Sequence, residues 1–293
     1  MLDDLSTEGA NPRTVDIDRL DTVGILRRLN DEDQLVAPAV RAALPELAQA
    51  VDLALERWQR GGRVVLFGAG TSGRLATLDA AELGPTFGVP ADRYLARLAG
   101  GEGALVKARE GAEDDRASGA AAANDLSAVD VAFGIAASGQ TPWVIGALER
   151  ARQRGAATIG LACVPQPALA DFVEVAIVVD TGPEPISGST RMKAGTAQKL
   201  VLNAFSSTLM IRLGKVYSNM MVDVQATNEK LRRRATRLVQ QAAGSGLAAA
   251  EQSLVDSNGE VKTAIAALRL GVTPEEARKR LDNVGGRLRL LFD

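Results

Sequence analysis

The chain has 293 residues, 46% of them apolar and 24% charged, with a net charge of −2. That balance describes a globular protein with a sizeable core, while near-neutral charge and 3% aromatic content argue against nucleic acid or an anionic membrane as partner. With no histidine and one cysteine, Cys163, an intrachain disulfide and a Ser-His-Asp triad are excluded and a zinc site nearly so; proton transfer falls to Glu, Asp, Lys, Tyr or water.

A lone cysteine suits a reducing compartment. The opening MLDDLSTEGANPR has no apolar stretch of the signal-peptide kind, and no apolar run reaches the ~20 residues that span a bilayer. The expected location is the cytoplasm.

Residues 1–20 read as an irregular arm. A helical pattern begins at Thr22, and residues 36–58 form a longer amphipathic stretch that Pro45 divides or kinks. Five short β-type runs follow, at 63–67 (RVVLF), 94–98, 129–136 (VDVAFGIA), 157–163 (ATIGLAC) and 173–179 (VEVAIVV). Helices are predicted between and after them, near 73–82, 103–124, 142–154 and 191–213. Apolar runs without alternation, separated by helices, predict an α/β fold: a doubly wound parallel sheet flanked by helices, with ligands at the carboxyl ends of the strands. The apolar helix at 191–213 reads as buried in the core or at a subunit interface. Past residue 228 the pattern is helical again, and Thr273-Pro274-Glu275-Glu276 marks a helix start. The expected division is an N-terminal arm with helices over 1–55, a phosphate-binding domain over 56–239, and a small three-helix C-terminal subdomain over 240–293.

Three strand ends carry Gly/Ser/Thr-rich loops: Gly68-Ala69-Gly70-Thr71-Ser72-Gly73-Arg74, Ser138-Gly139-Gln140-Thr141 and Ser187-Gly188-Ser189-Thr190-Arg191. In each, glycine lets the backbone approach an anion and a helix N-terminus follows. The first also fits GxGxxG, but no acidic residue closes the second strand as a dinucleotide site requires. A plain tight turn, or a helix cap without ligand, is the alternative for each loop singly; three in one parallel sheet point to a phosphomonoester site. Ser72, Ser138, Thr141 and Ser189 are the favoured phosphate ligands, with Thr71 and Thr190 behind them. Arg191 and Lys193 are candidate added charges, and Arg74 a candidate structural group.

In this order the loops resemble the sugar isomerase (SIS) domain. The longer runs TEGANPRTVDIDRLDT, FGAGTSGRLATLDAAELGPTFGVP, LAGGEGALVKAREGAEDD, GIAASGQTPWVIGALERAR and SGSTRMKAGTAQKLVLNAFSSTLMIRLGKVYSNMMVDVQATNEKL resemble the N-acetylmuramic acid 6-phosphate etherase family. Leu83-Gly84-Pro85 and Pro183-Glu184-Pro185-Ile186 are variants of the family pattern. The resemblance implies a homodimer, no cofactor, no metal, and a sugar phosphate as substrate. It implies Glu82 as the acid that protonates the departing lactate and Glu113 as the group that activates water. Locally, Glu82 reads as a solvent-facing helix-end carboxylate and Glu113 as part of a solvated acidic run with Glu110, Asp114 and Asp115. Glu184 stands where related aldose–ketose isomerases carry a base; it is a third catalytic candidate, with a turn role as the alternative. A non-catalytic sugar-phosphate sensor and an aldose–ketose isomerase are the rival readings.

Overall fold

A computed structural model describes residues 6–224 and 229–293. The first five residues of the expected arm, and positions 225–228 near the end of the last family-like run, lie outside the described residues.

Contacts divide the chain into two compact units, one of residues 1–80 and 92–206, the other of residues 81–91 and 207–293. In the first unit the arm runs through turns into a single 3-10 turn, Ile17–Arg19, and then α1 (Thr22–Asp33). The stretch that Pro45 interrupts is two abutting helices, α2 (Val36–Ala42) and α3 (Leu44–Gln59), with the proline in the first turn of α3, where its missing N–H costs nothing.

Five strands follow: β1 (Val64–Gly68), β2 (Tyr94–Leu98), β3 (Val131–Ile135), β4 (Ala157–Ala162) and β5 (Val175–Val178). All neighbouring pairs are parallel, in the order β2-β1-β3-β4-β5. β1, β3 and β4 are buried at every residue, whereas the edge strands β2 and β5 are only partly so. This is why the central strands read as unbroken apolar runs.

The helices α4 (Gly70–Phe87), α5 (Arg116–Ala122), α6 (Pro142–Gln153) and α7 (Lys193–Arg212) connect or follow the strands. α6 covers one face, where Trp143 lies 6.1 Å from Phe67 between ring centroids. α7 covers the other, where Phe205 meets Phe133 edge-on at 5.0 Å. Both faces of the sheet are therefore covered, which leaves the carboxyl ends of the strands for a ligand.

Two helix expectations are corrected. α4 runs through Gly84-Pro85, a pair that reads as a stop, to Phe87. The predicted helix over 103–124 is instead a 3-10 turn, Glu102–Leu105, then an irregular segment, with α5 beginning only at Arg116. Gly111 takes φ +73°, outside helical space, and the Asp115 carboxylate accepts the N–H of Ser118 at 2.9 Å as the cap of α5, so a new helix starts there.

In the second unit a short antiparallel pair, β6 (Val216–Tyr217) and β7 (Met220–Met221), precedes α8 (Glu229–Ala243), α9 (Leu247–Asp256), α10 (Val261–Leu270), α11 (Pro274–Asn283) and α12 (Arg289–Phe292). Val222, Leu238, Val239, Ala264, Ile265 and Leu281 are among its buried core. Thr273 caps α11 by accepting the N–H of Glu276 at 3.3 Å, as its Thr-Pro-Glu-Glu signature predicts.

Candidate active site

Strand order 2-1-3-4-5 reverses direction between β1 and β3, and the crevice beyond the carboxyl ends of those strands is where such sheets bind ligands. The first and second Gly/Ser/Thr loops leave these two strands. In the first, Gly73 packs so closely that a Cβ there would sit 2.6 Å from the Gly68 carbonyl oxygen, and Gly70 takes φ +53°. That contact sets the first turn of α4, with Thr71 and Ser72, directly on the end of β1. As first-turn residues their amides have no partner inside the helix. In the second loop Thr141 precedes α6 as its N-cap, without a side-chain cap bond, and the Ser138 hydroxyl accepts the Gln140 N–H at 3.3 Å.

The third loop follows β5, yet returns toward the first. A Cβ on Gly195, in the first turn of α7, would lie 3.6 Å from the Thr71 methyl. The hydroxyls of Thr71, Ser72, Thr141, Ser189 and Thr190 form no hydrogen bond to any described residue. Ser72 is nearly buried, and the other four are partly so.

Glu113 belongs to the irregular segment before α5, and two observations tie it to the loops. Its backbone carbonyl accepts the Trp143 N–H at 2.9 Å, which anchors it on the first turn of α6, beside the second loop. It lines a cavity of about 190 Å³ together with Ala69 and Gly70 of the first loop, Arg74, Arg109 and Glu110. Asp115, in the same acidic run, is spent on capping α5. Glu82 lies ten residues beyond Ser72 on α4, is exposed, and does not line that cavity.

Glu184 is fully buried. One carboxylate oxygen accepts the Lys193 N–H at 2.8 Å and the other the Ala194 N–H at 2.9 Å. It thereby caps α7 and fixes the return of the third loop. Burial pushes its pKa up, against the pull of those two amides and the Lys193 charge.

Lys193, expected as a phosphate cation, is turned inward: its ammonium pairs with Glu32 at 2.9 Å, both side chains almost wholly buried. Glu32 also meets Arg13 Nε at 2.7 Å and accepts from Asn11 at 2.8 Å. Burial alone would raise the Glu32 pKa, but the bonds from Lys193, Arg13 and Asn11 outweigh it and leave the pKa lowered. Arg191 is exposed. Arg74 donates to the carbonyls of Leu105 at 3.0 Å and Ala104 at 2.8 Å, the structural role expected of it.

The arm was the missed contributor. Asn11 Nδ2 donates to the Pro183 carbonyl at 3.2 Å, the Thr14 hydroxyl to the Pro185 carbonyl at 2.9 Å, and the Gly188 N–H to the Thr7 carbonyl at 3.2 Å. The arm therefore clamps residues 183–188, the segment that leads into the third loop. Nothing local in the sequence signals this. Cys163 is buried, donates to the Ala194 carbonyl at 3.7 Å, and has its thiol pKa pushed up by burial and then by the Glu184 charge, an environment that favours the neutral thiol.

A five-stranded parallel sheet with Gly/Ser/Thr-rich turns at its switch point is the arrangement of the SIS class, and the model of the family described as "Glucokinase regulatory protein N-terminal SIS domain" matches residues 46–152. The full chain is 50% identical to the N-acetylmuramic acid 6-phosphate etherase of Mesorhizobium japonicum over 98% of this chain and 94% of that one. It is 52% identical to the N-acetylmuramic acid 6-phosphate etherase of Yersinia pestis over 97% of each. The chain belongs to the N-acetylmuramic acid 6-phosphate etherase family. A phosphoheptose isomerase from Francisella tularensis is similar in structure over 64% of this chain and 98% of that one, with a TM-score of 0.48 and 20% identity.

Proposed function

We propose that the chain cleaves the lactyl ether of N-acetylmuramic acid 6-phosphate, releasing D-lactate and N-acetylglucosamine 6-phosphate, as a carbon–oxygen lyase of amino-sugar recycling. The observation that carries this reading is Glu113. It is a carboxylate in a cavity shared with the first anion loop, and its backbone is fixed on the helix that the second loop begins.

An alkyl ether resists cleavage because alkoxide is a poor leaving group. Ring opening places an aldehyde at carbon 1, which makes the carbon 2 hydrogen acidic and sets the ether β to the carbonyl. The remaining steps, loss of lactate across carbons 2 and 3 and addition of water to carbon 3, need only proton transfers as catalysis, within reach of carboxyl groups. The three loops hold the phosphate through hydroxyls and amides of Thr71, Ser72, Ser138, Thr141, Ser189 and Thr190.

Glu113 takes the carbon 2 proton, and Glu82 protonates the ether oxygen as the carbon 3–oxygen bond breaks. Having passed its proton to solvent, to which it is exposed, Glu113 then activates the water that adds to carbon 3. Glu113 then returns the proton taken from that water to carbon 2 of the resulting enolate, and Glu82, also exposed, regains its proton from solvent. Glu184, whose two carboxylate oxygens already accept amides, holds the third loop in register and touches no substrate. The active form is a homodimer in the cytoplasm.

Incubation with N-acetylmuramic acid 6-phosphate in ¹⁸O-water tests the reaction. The expected products are unlabelled D-lactate and a sugar phosphate labelled at carbon 3. Label in lactate would mean cleavage on the other side of the oxygen. Binding of N-acetylglucosamine 6-phosphate without any lactate release would make the chain a sensor. Glu82→Gln should slow lactate release by at least ~10²-fold, the scale of general-acid catalysis; an unchanged rate removes Glu82 from the mechanism.

A further inference from the structure

We infer that Arg109 binds the carboxylate of the lactyl group and so restricts the enzyme to 3-ethers that carry an acid. The inference rests on the etherase reading and goes beyond it to the selection of the leaving group.

The substrate carries two anions, and the Gly/Ser/Thr loops provide for one of them, the phosphate. The other, the lactyl carboxylate, hangs from the oxygen at which the bond breaks, so its partner must stand close to the proton-transferring groups. The cavity that holds Glu113 is also lined by Glu110, so an incoming carboxylate meets two negative charges and needs a directly placed cation. Guanidinium suits this best, since its planar fork matches a carboxylate with two parallel hydrogen bonds.

Two arginines line the cavity, Arg74 and Arg109. Arg74 is committed: Nε and one terminal nitrogen donate to the carbonyls of Leu105 and Ala104. Arg109 makes one such bond, from Nη1 to the Gly100 carbonyl at 3.0 Å, which leaves Nε and Nη2 without a described partner. Its stem is also fixed. Gly100 takes φ +83°, and a Cβ there would lie 3.1 Å from Arg109 Cδ and 3.2 Å from its Cβ. The glycine leaves the space in which the side chain lies across the turn. A guanidinium held at its base, with one edge unspent, beside the candidate base, is a preorganised carboxylate receptor.

The test compares N-acetylmuramic acid 6-phosphate with its lactyl methyl ester, in the wild type, Arg109→Gln and Arg109→Lys. Inhibition by N-acetylglucosamine 6-phosphate, which lacks the lactyl group, is measured in parallel. The wild type should favour the acid over the ester by at least ~10-fold in kcat/KM, the scale of a charge-assisted hydrogen bond. Arg109→Gln should bring that preference to within ~2-fold by raising KM for the acid, with inhibition by the product sugar unchanged. Arg109→Lys should keep part of the preference.

Persistence of the wild-type preference in Arg109→Gln overturns the inference. So does equal loss of acid turnover, ester turnover and product inhibition, which marks a purely structural residue. Failure of the wild type to release lactate from the acid would overturn the etherase reading itself, a result that no Arg109 variant can mimic.

Discussion

Lys193 reads in the sequence as a cation for phosphate, but its charge is taken up inside the protein by Glu32. The two residues are 161 positions apart, and no local pattern pairs them. A buried pair of this kind is costly to break, because removing one partner leaves the other charge without compensation. Glu32 would keep Arg13 and Asn11, so Lys193→Met should destabilise the fold by about 3 kcal/mol, the low end of the range for such pairs, measured by urea unfolding. A loss under ~0.5 kcal/mol, typical of surface changes, would contradict the role assigned to the pair. The Glu32 pKa lies below its unfolded value. Its stabilising contribution is therefore present above the ordinary glutamate range and is lost as pH falls through the native pKa.

Among the elements, α4 and the segment before α5 matter most to the site, and they differ in how far the sequence reveals them. The strand-to-α4 turn is legible because its requirements are local: Gly68 and Gly73 allow a backbone contact that no Cβ permits, and Gly70 takes a positive φ. The segment 103–115 is misread as helix because its Ala, Leu, Lys, Glu and Arg residues suit a helix individually. The cap at Asp115 and the positive φ at Gly111 decide otherwise. An irregular backbone there is what lets Glu113 reach the α6 terminus, since loops carry functional groups that a rigid scaffold positions.

α4 is itself pinned by Asp79, a buried carboxylate that accepts from Tyr94 of β2 at 2.9 Å and Ser206 of α7 at 3.1 Å. Burial raises its pKa, against those two hydrogen bonds and the Lys199 charge. Between the unfolded and native pKa values the native state binds the extra proton, so this group's contribution to stability falls as pH rises through that window. Stability of the wild type minus that of Asp79→Asn should therefore decline as pH rises from the ordinary aspartate range, in urea titrations across pH. A difference that grows with pH would show that hydrogen bonding to the charged form dominates instead.

At the scale of the molecule, the parallel sheet, all five strands and the three loops were readable, because burial on both faces writes unbroken apolar runs and turns write glycine and hydroxyl residues. The order of the strands and the return of the third loop toward the first were not, since they depend on pairings between distant segments. The clamp of the arm on the third loop was hidden for the same reason. Glu113 was selected by family resemblance alone, from an acidic run that looks like any solvated surface. Its carbonyl bond to Trp143 and the cavity it lines together with Gly70 are the basis on which its catalytic role is proposed.

That basis is the central claim: a carboxylate at the mouth of the anion loops moves the substrate's protons while the loops hold its phosphate. The direct measurement is lactate release by Glu113→Gln from N-acetylmuramic acid 6-phosphate, alongside the affinity of the same variant for N-acetylglucosamine 6-phosphate. The expected result is a kcat lower by at least ~10²-fold with product affinity within ~3-fold of wild type, because the amide keeps the shape of the side chain and removes only its basicity. Wild-type turnover by Glu113→Gln would contradict the account.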